Sequence, residues 1–188
     1  MKQNDTKQRI SKTFNRLIRT RDFESLTVND IVREAGISRA TFYRHFKDKY
    51  DVMNFNYSSL LNDALQTFPI STMQDVFAIL LEAGASNWKE LLTLFSTTGT
   101  NSLHEYISSY SYTAARNIYE TGDVFARGTP VHKLNDTESV QLLLFCHGAA
   151  LLFEEWVKGR IPLTKEETAA AMYELLPASL QGSLPRPI

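Results

Sequence analysis

Residues 140–153, with the sequence VQLLLFCHGAALLF, are apolar around nearly the whole circumference of a helix. A helix of this kind must be covered on more than one side. The segment has 14 residues and is followed directly by Glu154–Glu155. It is therefore too short to span a bilayer, which needs about 20 apolar residues. The remainder of the chain can cover one side and a second copy another, so we expect a helical protein that pairs with itself.

The predicted pairing surface combines this segment with the next helix, which has an apolar stripe of its own. We expect the last two helices of each protomer to form a four-helix interface about a two-fold axis. Gly148 costs roughly 1 kcal/mol relative to alanine inside a helix, which a close approach of two helices would explain. The predicted interface residues are Leu144, Gly148, Leu151, Met172 and Leu176.

Apolar residues recur at helical spacing through the rest of the chain. Ile10, Phe14, Leu17 and Ile18 recur at the i, i+4, i+7, i+8 positions of one helix face. No alternating strand pattern of useful length interrupts the series. We predict an all-α fold of about nine helices. They cover about residues 5–21, 28–34, a short helix after Ser38, then 48–68, 73–83, 87–96, 103–120, 137–158 and 165–176.

Charge divides the chain into two parts. Residues 1–50 contain 12 lysines and arginines against six acidic residues, whereas residues 51–188 contain eight against 15. Such an asymmetry is typical of a nucleic-acid-binding region joined to a region with another task. We predict a DNA-binding domain over 1–50 and a helical regulatory and dimerisation domain over 51–188. The alternative is a chance cluster of cations on a solvated face.

The remaining composition indicates a soluble cytoplasmic protein with no membrane partner. The single cysteine, Cys146, excludes an internal disulfide and fits a reducing compartment. The polar start, MKQNDTKQRI, has no apolar core of a signal peptide.

Two short helices joined by residues 35–38, AGIS, predict a helix-turn-helix unit. Thr27 is placed as the N-cap of the first helix, and Gly36 suits a turn position with positive φ. Phe42 and Phe46 lie one helical turn apart and face inward together. The residues between them then face outward, as required of a helix that enters the major groove of DNA.

The outward residues suit contacts to DNA. Arg39 and Arg44 can donate to guanine or hold phosphate, and Ala40 and Thr41 can meet a thymine methyl group. Tyr43, as the alternative, is a half-buried core aromatic. The predicted DNA-contacting residues, including those expected to hold phosphates, are Thr27, Ser38, Arg39, Ala40, Thr41, Tyr43, Arg44, His45 and Lys49.

Residues 26–53, LTVNDIVREAGISRATFYRHFKDKYDVM, resemble the DNA-binding head of the TetR family of bacterial transcription regulators. The usual glycine before the threonine is absent, and Phe23 and Glu24 stand there instead. Residues 147–167 resemble the C-terminal region of one subgroup. The resemblance implies a nine- or ten-helix fold, a homodimer and a ligand pocket. Its expected function is a repressor that a small molecule releases from a palindromic operator; an activator is the alternative.

Aromatic residues of the middle helices are candidates for that pocket. We predict that Trp88, Phe95, Tyr106, Tyr110 and His147 line it, and the alternative is that they are ordinary core or surface side chains. Cys146 and His147 are adjacent on a helix and point about 100° apart, so we expect no metal site there. No cofactor is expected.

Three other functions compete with this reading. An enzyme is disfavoured because the chain has no P-loop, G-x-S-x-G, H-E-x-x-H or dinucleotide-binding glycine motif. An architectural DNA-binding protein would bind all duplexes with similar affinity. An activator controlled by a partner protein would have a well-packed body without a pocket.

Overall fold

The computed structural model of the chain describes residues 2–122, 124–125 and 132–181. Within these residues the backbone forms ten α-helices and no strand, which confirms the all-α fold. The last helix is a single turn and accounts for the difference from the nine predicted. The helices are α1 (Lys2–Ile18), α2 (Val28–Ala35), α3 (Arg39–Tyr43), α4 (Lys49–Thr67), α5 (Met73–Ser86), α6 (Trp88–Leu94), α7 (Leu103–Thr121), α8 (Asp136–Val157), α9 (Lys165–Leu175) and α10 (Ala178–Gln181).

The helices fall into two compact units, of which the first comprises Met1–Asn62 and Asn87–Leu103. In this unit α1 packs against α2 and α6, and α2 packs against α3. The apolar stripe predicted on α1 is buried as expected. Aromatic rings fill the core, because Phe14, Phe23 and Phe42 are all 0 % exposed. The first unit is thus a small helical domain with its own core.

The first unit extends beyond the predicted DNA-binding domain of residues 1–50. It includes most of α4 and all of α6. The reason is that Val52 and Met53 of α4 are fully buried and complete its core. The predicted boundary at residue 50 divides the chain by the expected function of each part, and that division stays a prediction.

The second unit comprises Asp63–Ser86 and His104–Ile188. Its main contact is the packing of α5 along α9, and α5 also contacts α8 through the rings of Phe77 and Phe145, 5.8 Å apart. A polar contact joins α7 to α8, where His104 Nδ1 lies 2.7 Å from Glu154 Oε2. Glu154 also pairs with Lys158. These contacts hold the helices of the second unit together around α8.

α8 is longer than the apolar run inside it. A capping box begins the helix, since the Asn135 side chain accepts from the Glu138 backbone N–H and the Glu138 carboxylate accepts from that of Asn135. Of the described helices it is the one that is long and apolar enough to cross a membrane by length and composition. Its most apolar 18-residue window is 28 % buried. Most residues of that window are therefore at least partly exposed in the described structure.

The exposed side of α8 carries a continuous apolar surface. We define the α8 stripe as Val140, Leu143, Leu144, His147, Gly148 and Leu151, which are all exposed. Leu144 is 69 % exposed and Leu151 52 % exposed. The opposite side of the helix is buried through Leu142, Cys146 and Ala150. The helix is thus apolar on two sides, as its sequence indicates, but the protomer covers only one.

The apolar side of α9 is used inside the protomer. Met172 is 8 % exposed and Leu176 is 4 % exposed, because this side of α9 packs along α5. The structure thus buries both side chains within the protomer, and their predicted place in a pairing surface stays a prediction. α9 has a single apolar stripe at helical spacing, and α5 already covers it. The exposed large apolar residue of α9 is Leu175, at 69 %.

Gly148 leaves open space beside it on α8. A Cβ atom built on it would meet nothing within 4 Å among the described residues. The close helix approach expected at this glycine is therefore not seen within the described part of the chain.

Candidate nucleic-acid interface

Local signals in the sequence fix both ends of α2. Thr27 Oγ1 accepts from the Asp30 backbone N–H at 3.2 Å, and Asp30 Oδ2 accepts from that of Thr27 at 3.1 Å. At the other end Gly36 has φ 61° and ψ 41°, a left-handed conformation that only glycine adopts readily. The Ile37 N–H then donates back to the Val32 carbonyl at 3.0 Å. The predicted cap and turn are both present.

α3 follows the turn at once and presents its outer face to solvent. Ser38 is its N-cap, and its Oγ accepts from the Thr41 backbone N–H at 3.1 Å. Phe42 is 0 % exposed and Phe46 3 %, with ring centroids 6.0 Å apart. These two rings anchor the helix to the core, as predicted. The exposed residues of this face are Arg39, Ala40, Tyr43 and Arg44.

Arg39 is held in a defined orientation on this face. Its Nη1 donates to Asn29 Oδ1 at 3.1 Å, and its Nη2 donates to Tyr43 Oη at 3.4 Å. Tyr43 is 49 % exposed, so it is not the core aromatic of the alternative prediction. Asn29 was missed in the sequence, because its partner lies ten residues away across the turn. It orients the planar donor fork of Arg39 outward from α3.

Arg44 is oriented in a similar way, on the next turn. Its Nη2 donates to Thr41 Oγ1 at 3.1 Å. The Thr41 hydroxyl also lies 3.0 Å from Ser38 Oγ. The hydroxyl groups of Ser38 and Thr41 are thus already engaged in hydrogen bonds. The methyl group of Thr41 is therefore more available for contact with a base than its hydroxyl group.

The starts of α2 and α3 differ in charge. Hydrogen bonds from the Thr27 hydroxyl and backbone lower the pKa of Asp30, and nearby Arg33 and Arg21 add to the effect. A carboxylate thus stands beside Thr27, whereas the first turn of α3 has no acidic residue. The phosphate contact predicted for Thr27 stays a prediction, and the electrostatics favour an anion at the α3 side instead.

Ion pairing reduces the positive charge that the first unit has available. Four arginines of this unit pair with carboxylates: Arg16 with Glu34, Arg19 with Glu90, and Arg21 and Arg33 with Asp30. In the described part of the chain no such pair is formed by Arg39, Arg44 and Lys47, nor by Arg9 and Lys12 of α1. The charge that can meet DNA is therefore less than the sequence count, and it is shared between the region of α3 and α1.

The last two predicted contacts lie just after α3. His45 is half-buried, and its backbone N–H donates to the Phe42 carbonyl at 2.9 Å. Lys49 turns its ammonium group towards the loop between α1 and α2, where Nζ donates to the Phe23 carbonyl at 2.8 Å and the Glu24 carbonyl at 3.0 Å. The structure thus gives Lys49 partners inside the first unit.

The predicted pocket residues are divided between the two units. Trp88, 44 % exposed, and Phe95, 3 % exposed, belong to the first. Tyr106 and Tyr110 belong to the second, where their rings stack with centroids 5.7 Å apart. His147 is exposed on the α8 stripe, and its place in a pocket stays a prediction.

Cys146 and the described acidic residues are the side chains to consider for metal binding. Burial raises the pKa of the Cys146 thiol to about 12, so it stays protonated near neutral pH. Among the residues that the structure describes, no group of three or more histidine, cysteine, aspartate or glutamate side chains is placed to hold a metal ion.

The helix-turn-helix region matches a known family. Residues 13–54 match the sequence model described as bacterial regulatory proteins, tetR family. The HTH-type transcriptional regulator SAB2452 of Staphylococcus aureus is 34% identical over 64 residues, 34% of this chain and 35% of that protein. The uncharacterized HTH-type transcriptional regulator YerO of Bacillus subtilis is 46% identical over 46 residues, 24% of this chain and 16% of that protein. The chain thus spans about a third or less of these relatives.

Solved structures share the fold over nearly the whole chain. The dihydroxyacetone kinase operon activator DhaS superimposes with a TM-score of 0.61 at 15% identity, covering 96% of this chain and 98% of that one. A TetR transcriptional regulator from Streptococcus agalactiae superimposes with a TM-score of 0.59 at 18% identity, covering 93% and 95%. At these identities the likeness concerns the fold alone.

Proposed function

We propose a function for this chain from the premise that it is a member of the TetR family of bacterial regulatory proteins, whose sequence model its residues 13–54 match. The matched segment contains α2 and α3, the helix-turn-helix. We infer that the chain is a sequence-specific DNA-binding regulator of transcription. In the form proposed, it is a cytoplasmic, non-enzymatic homodimer that represses from a palindromic operator and is released by a small molecule.

One observation carries the DNA-binding part of this proposal: the outer face of α3 is exposed, cationic and internally braced. Arg39 is oriented by Asn29 and Tyr43, and Arg44 by Thr41. A side chain that is already oriented loses less conformational freedom when it binds. Bidentate arginine contacts to guanine discriminate by about 1–3 kcal/mol against a wrong base. The face therefore suits base recognition in the major groove.

The α8 stripe supports the homodimer. One short recognition helix contacts few bases, and two copies held about 34–36 Å apart read both halves of a palindrome. Such a pair needs a large apolar contact between protomers. Leu144 and Leu151 on the stripe are more than half exposed, and a Cβ atom added at Gly148 would meet no described residue within 4 Å. The proposed contact joins the α8 stripes of the two copies.

The proposed control is a population shift. The proposed dimer has two conformations, which differ in the distance between the two recognition helices. A small molecule that binds one conformation more tightly than the other changes the affinity of the dimer for the operator. The half-buried, stacked rings of Tyr106 and Tyr110 are the aromatic surface that we propose contributes to its binding.

An activator is the second candidate. The solved structure named as an operon activator shares this fold along 96% of the chain. The same architecture therefore accommodates activation, and the sign of regulation has to be measured.

The test is selection of genomic DNA by the full-length protein, followed by footprinting on the retained fragments. We expect a protected inverted repeat with half-sites one helical turn apart, or a multiple of it. Transcription from the adjacent promoter with and without the protein then gives the sign. Equal retention of all fragments, with no protected repeat, would reject a sequence-specific regulator and favour an architectural DNA-binding protein.

A further inference from the structure

The outer face of α3 carries many hydrogen-bond donors and few acceptors. Residues 38–46, SRATFYRHF, contain no aspartate, glutamate, asparagine or glutamine. The two arginines bring donors only, because a guanidinium group has five N–H bonds and no acceptor. The side-chain oxygen of Asn29 reaches this face from α2. We define the recognition face as the following exposed or half-buried residues: Asn29, Ser38, Arg39, Ala40, Thr41, Tyr43 and Arg44.

The acceptor oxygens of the recognition face are already used within the face. Arg39 donates to Asn29 Oδ1 at 3.1 Å and to Tyr43 Oη at 3.4 Å. Arg44 donates to Thr41 Oγ1 at 3.1 Å. The N-cap hydroxyl of α3 accepts from a backbone N–H of its own helix at 3.1 Å. A base that offers a donor to these oxygens therefore competes with partners that they already have.

The donors of the recognition face, in contrast, are only partly used. Hydrogen bonds within the face take two N–H groups of Arg39 and one of Arg44. Neither arginine pairs with a carboxylate in the described part of the chain. Ala40 adds an exposed methyl group, and the hydrogen bonds of Thr41 engage its hydroxyl and not its methyl group. The recognition face thus offers N–H donors and methyl groups to a partner.

The base edges in the major groove differ in the partner that they need. Guanine presents two acceptors, N7 and O6, and thymine presents the acceptor O4 and a methyl group. The amino groups of adenine and cytosine are donors, so a protein must supply an acceptor to recognise them. The recognition face complements guanine and thymine, and its own arginines occupy the oxygens that an amino group would need.

We propose that the recognition face selects its operator through the acceptor atoms of guanine and the methyl groups of thymine, and not through the amino groups of adenine or cytosine. Arg39 donates to N7 and O6 of a guanine in each half-site, and the methyl group of Thr41 packs against a thymine methyl group. This inference rests on the proposed function, because it names the operator atoms that such a regulator recognises.

The experiment measures the affinity of the full-length protein for the operator obtained by genomic selection, with one base analogue at a time in both half-sites. 7-Deazaguanine lacks N7, and uracil lacks the methyl group of thymine. 2-Aminopurine lacks the amino group that adenine presents in the major groove, but it still pairs with thymine. We expect a loss of about tenfold for 7-deazaguanine at one position, because a charged hydrogen bond is removed. Uracil should cost about fourfold at one position, and 2-aminopurine should leave the affinity unchanged.

Two variants connect these effects to named side chains. Arg39→Ala removes the donors, so 7-deazaguanine should lose its effect at one position while uracil keeps its effect. Thr41→Ser removes the methyl group but keeps the hydroxyl that accepts from Arg44, so uracil should lose its effect while 7-deazaguanine keeps its effect. A variant that only weakens the fold changes the affinity for all duplexes alike and does not produce this crossed pattern.

Any of three results overturns the inference. The first is wild-type affinity for every duplex with 7-deazaguanine, or for every duplex with uracil. The second is a loss with 2-aminopurine as large as the loss with 7-deazaguanine, which would mean that an acceptor such as the neutral ring of His45 recognises an adenine amino group. The third is an analogue effect that stays unchanged at every position in the variant expected to remove it.

The outcomes also separate this inference from the proposed function. A selected operator that is insensitive to the analogues overturns the inference, while the protein is still a sequence-specific regulator. If selection retains no specific site, the proposed function and this inference both fail.

Discussion

The exposed face of α3 and the α8 stripe are both left open by the protomer, yet they are built in opposite ways. The face of α3 is polar, and its arginines are braced by neighbours such as Asn29 and Thr41. The α8 stripe is apolar, with Leu144 as its most exposed side chain. A charged surface can stay in water until DNA arrives, whereas an apolar surface of this extent is favourable only when it is covered. The difference fits the proposed transient contact of α3 with DNA and the proposed lasting contact of α8 with a second copy.

The largest expected effect tests whether the buried side of α3, and not its exposed face, contributes to the stability of the fold. Phe42→Ala removes a ring that is 0 % exposed, and we expect it to lower the free energy of unfolding by about 3–5 kcal/mol. Tyr43→Ala, at the adjacent and 49 % exposed position, should leave stability within about 1 kcal/mol. Chemical denaturation of both variants checks this pair. Equal losses would mean that the outer face of α3 is also part of the core.

The next prediction tests the apolar surface. Leu144→Glu places a charge on the α8 stripe, and we expect the dimer to dissociate about 100-fold more readily because a buried charge is costly. Leu92→Glu, at a 37 % exposed leucine of α6, is the control and should leave the assembly unchanged. Analytical ultracentrifugation over a concentration series measures both. A wild-type dimer for Leu144→Glu would place the contact between protomers elsewhere.

A smaller effect is expected at the braced arginine. Arg39→Ala should cost about 1–3 kcal/mol on the specific operator and less on random DNA, because base discrimination is lost. Asn29→Ala should reproduce part of this loss while retaining Arg39, since the arginine is then no longer oriented. Competition binding with operator and random duplexes gives both values. Equal losses on the two duplexes would make Arg39 a phosphate contact.

The smallest expected effect concerns acid. The pKa of Asp30 is lower in the folded chain than its ordinary value, so the ionised carboxylate stabilises the fold. This contribution is fully present above the ordinary pKa of about 3.9, and it is lost as the pH falls through that value towards the lower folded pKa. We expect the stability of the wild type to fall more steeply with acid over this range than that of Asp30→Asn. Parallel slopes would show that the α2 cap is not coupled to this charge.

The regions also differ in how far their sequences predict them. The ends of α2 follow from residues within three positions of each other, such as Thr27 and Asp30, and they were predictable because capping is a local effect. The inward position of Phe42 followed from helical periodicity. The DNA-contacting residues remain predictions, although the structure places Arg39 and Arg44 on an open face as expected.

The sequence could not predict which element packs against a given apolar surface. The apolar stripe of α9 looks the same in sequence whether α5 or a second chain covers it, and the structure shows that Met172 is covered by its own protomer. The side-chain contacts of Asn29 and Lys49 could not be predicted for a related reason. Their partners, Arg39 and Phe23, are ten and 26 residues away, and spacing along one helix carries no information on such contacts.

The α8 stripe has a consequence for how operator occupancy depends on the concentration of the protein. Where two copies must meet before either can occupy its target, the abundance of the active form rises as about the square of the total concentration while dimers are scarce. Doubling the supply of the chain would then raise operator occupancy about fourfold at low abundance and hardly at all once dimers predominate. The proposed pairing through the α8 stripe would therefore make operator occupancy respond to the protein concentration with a threshold.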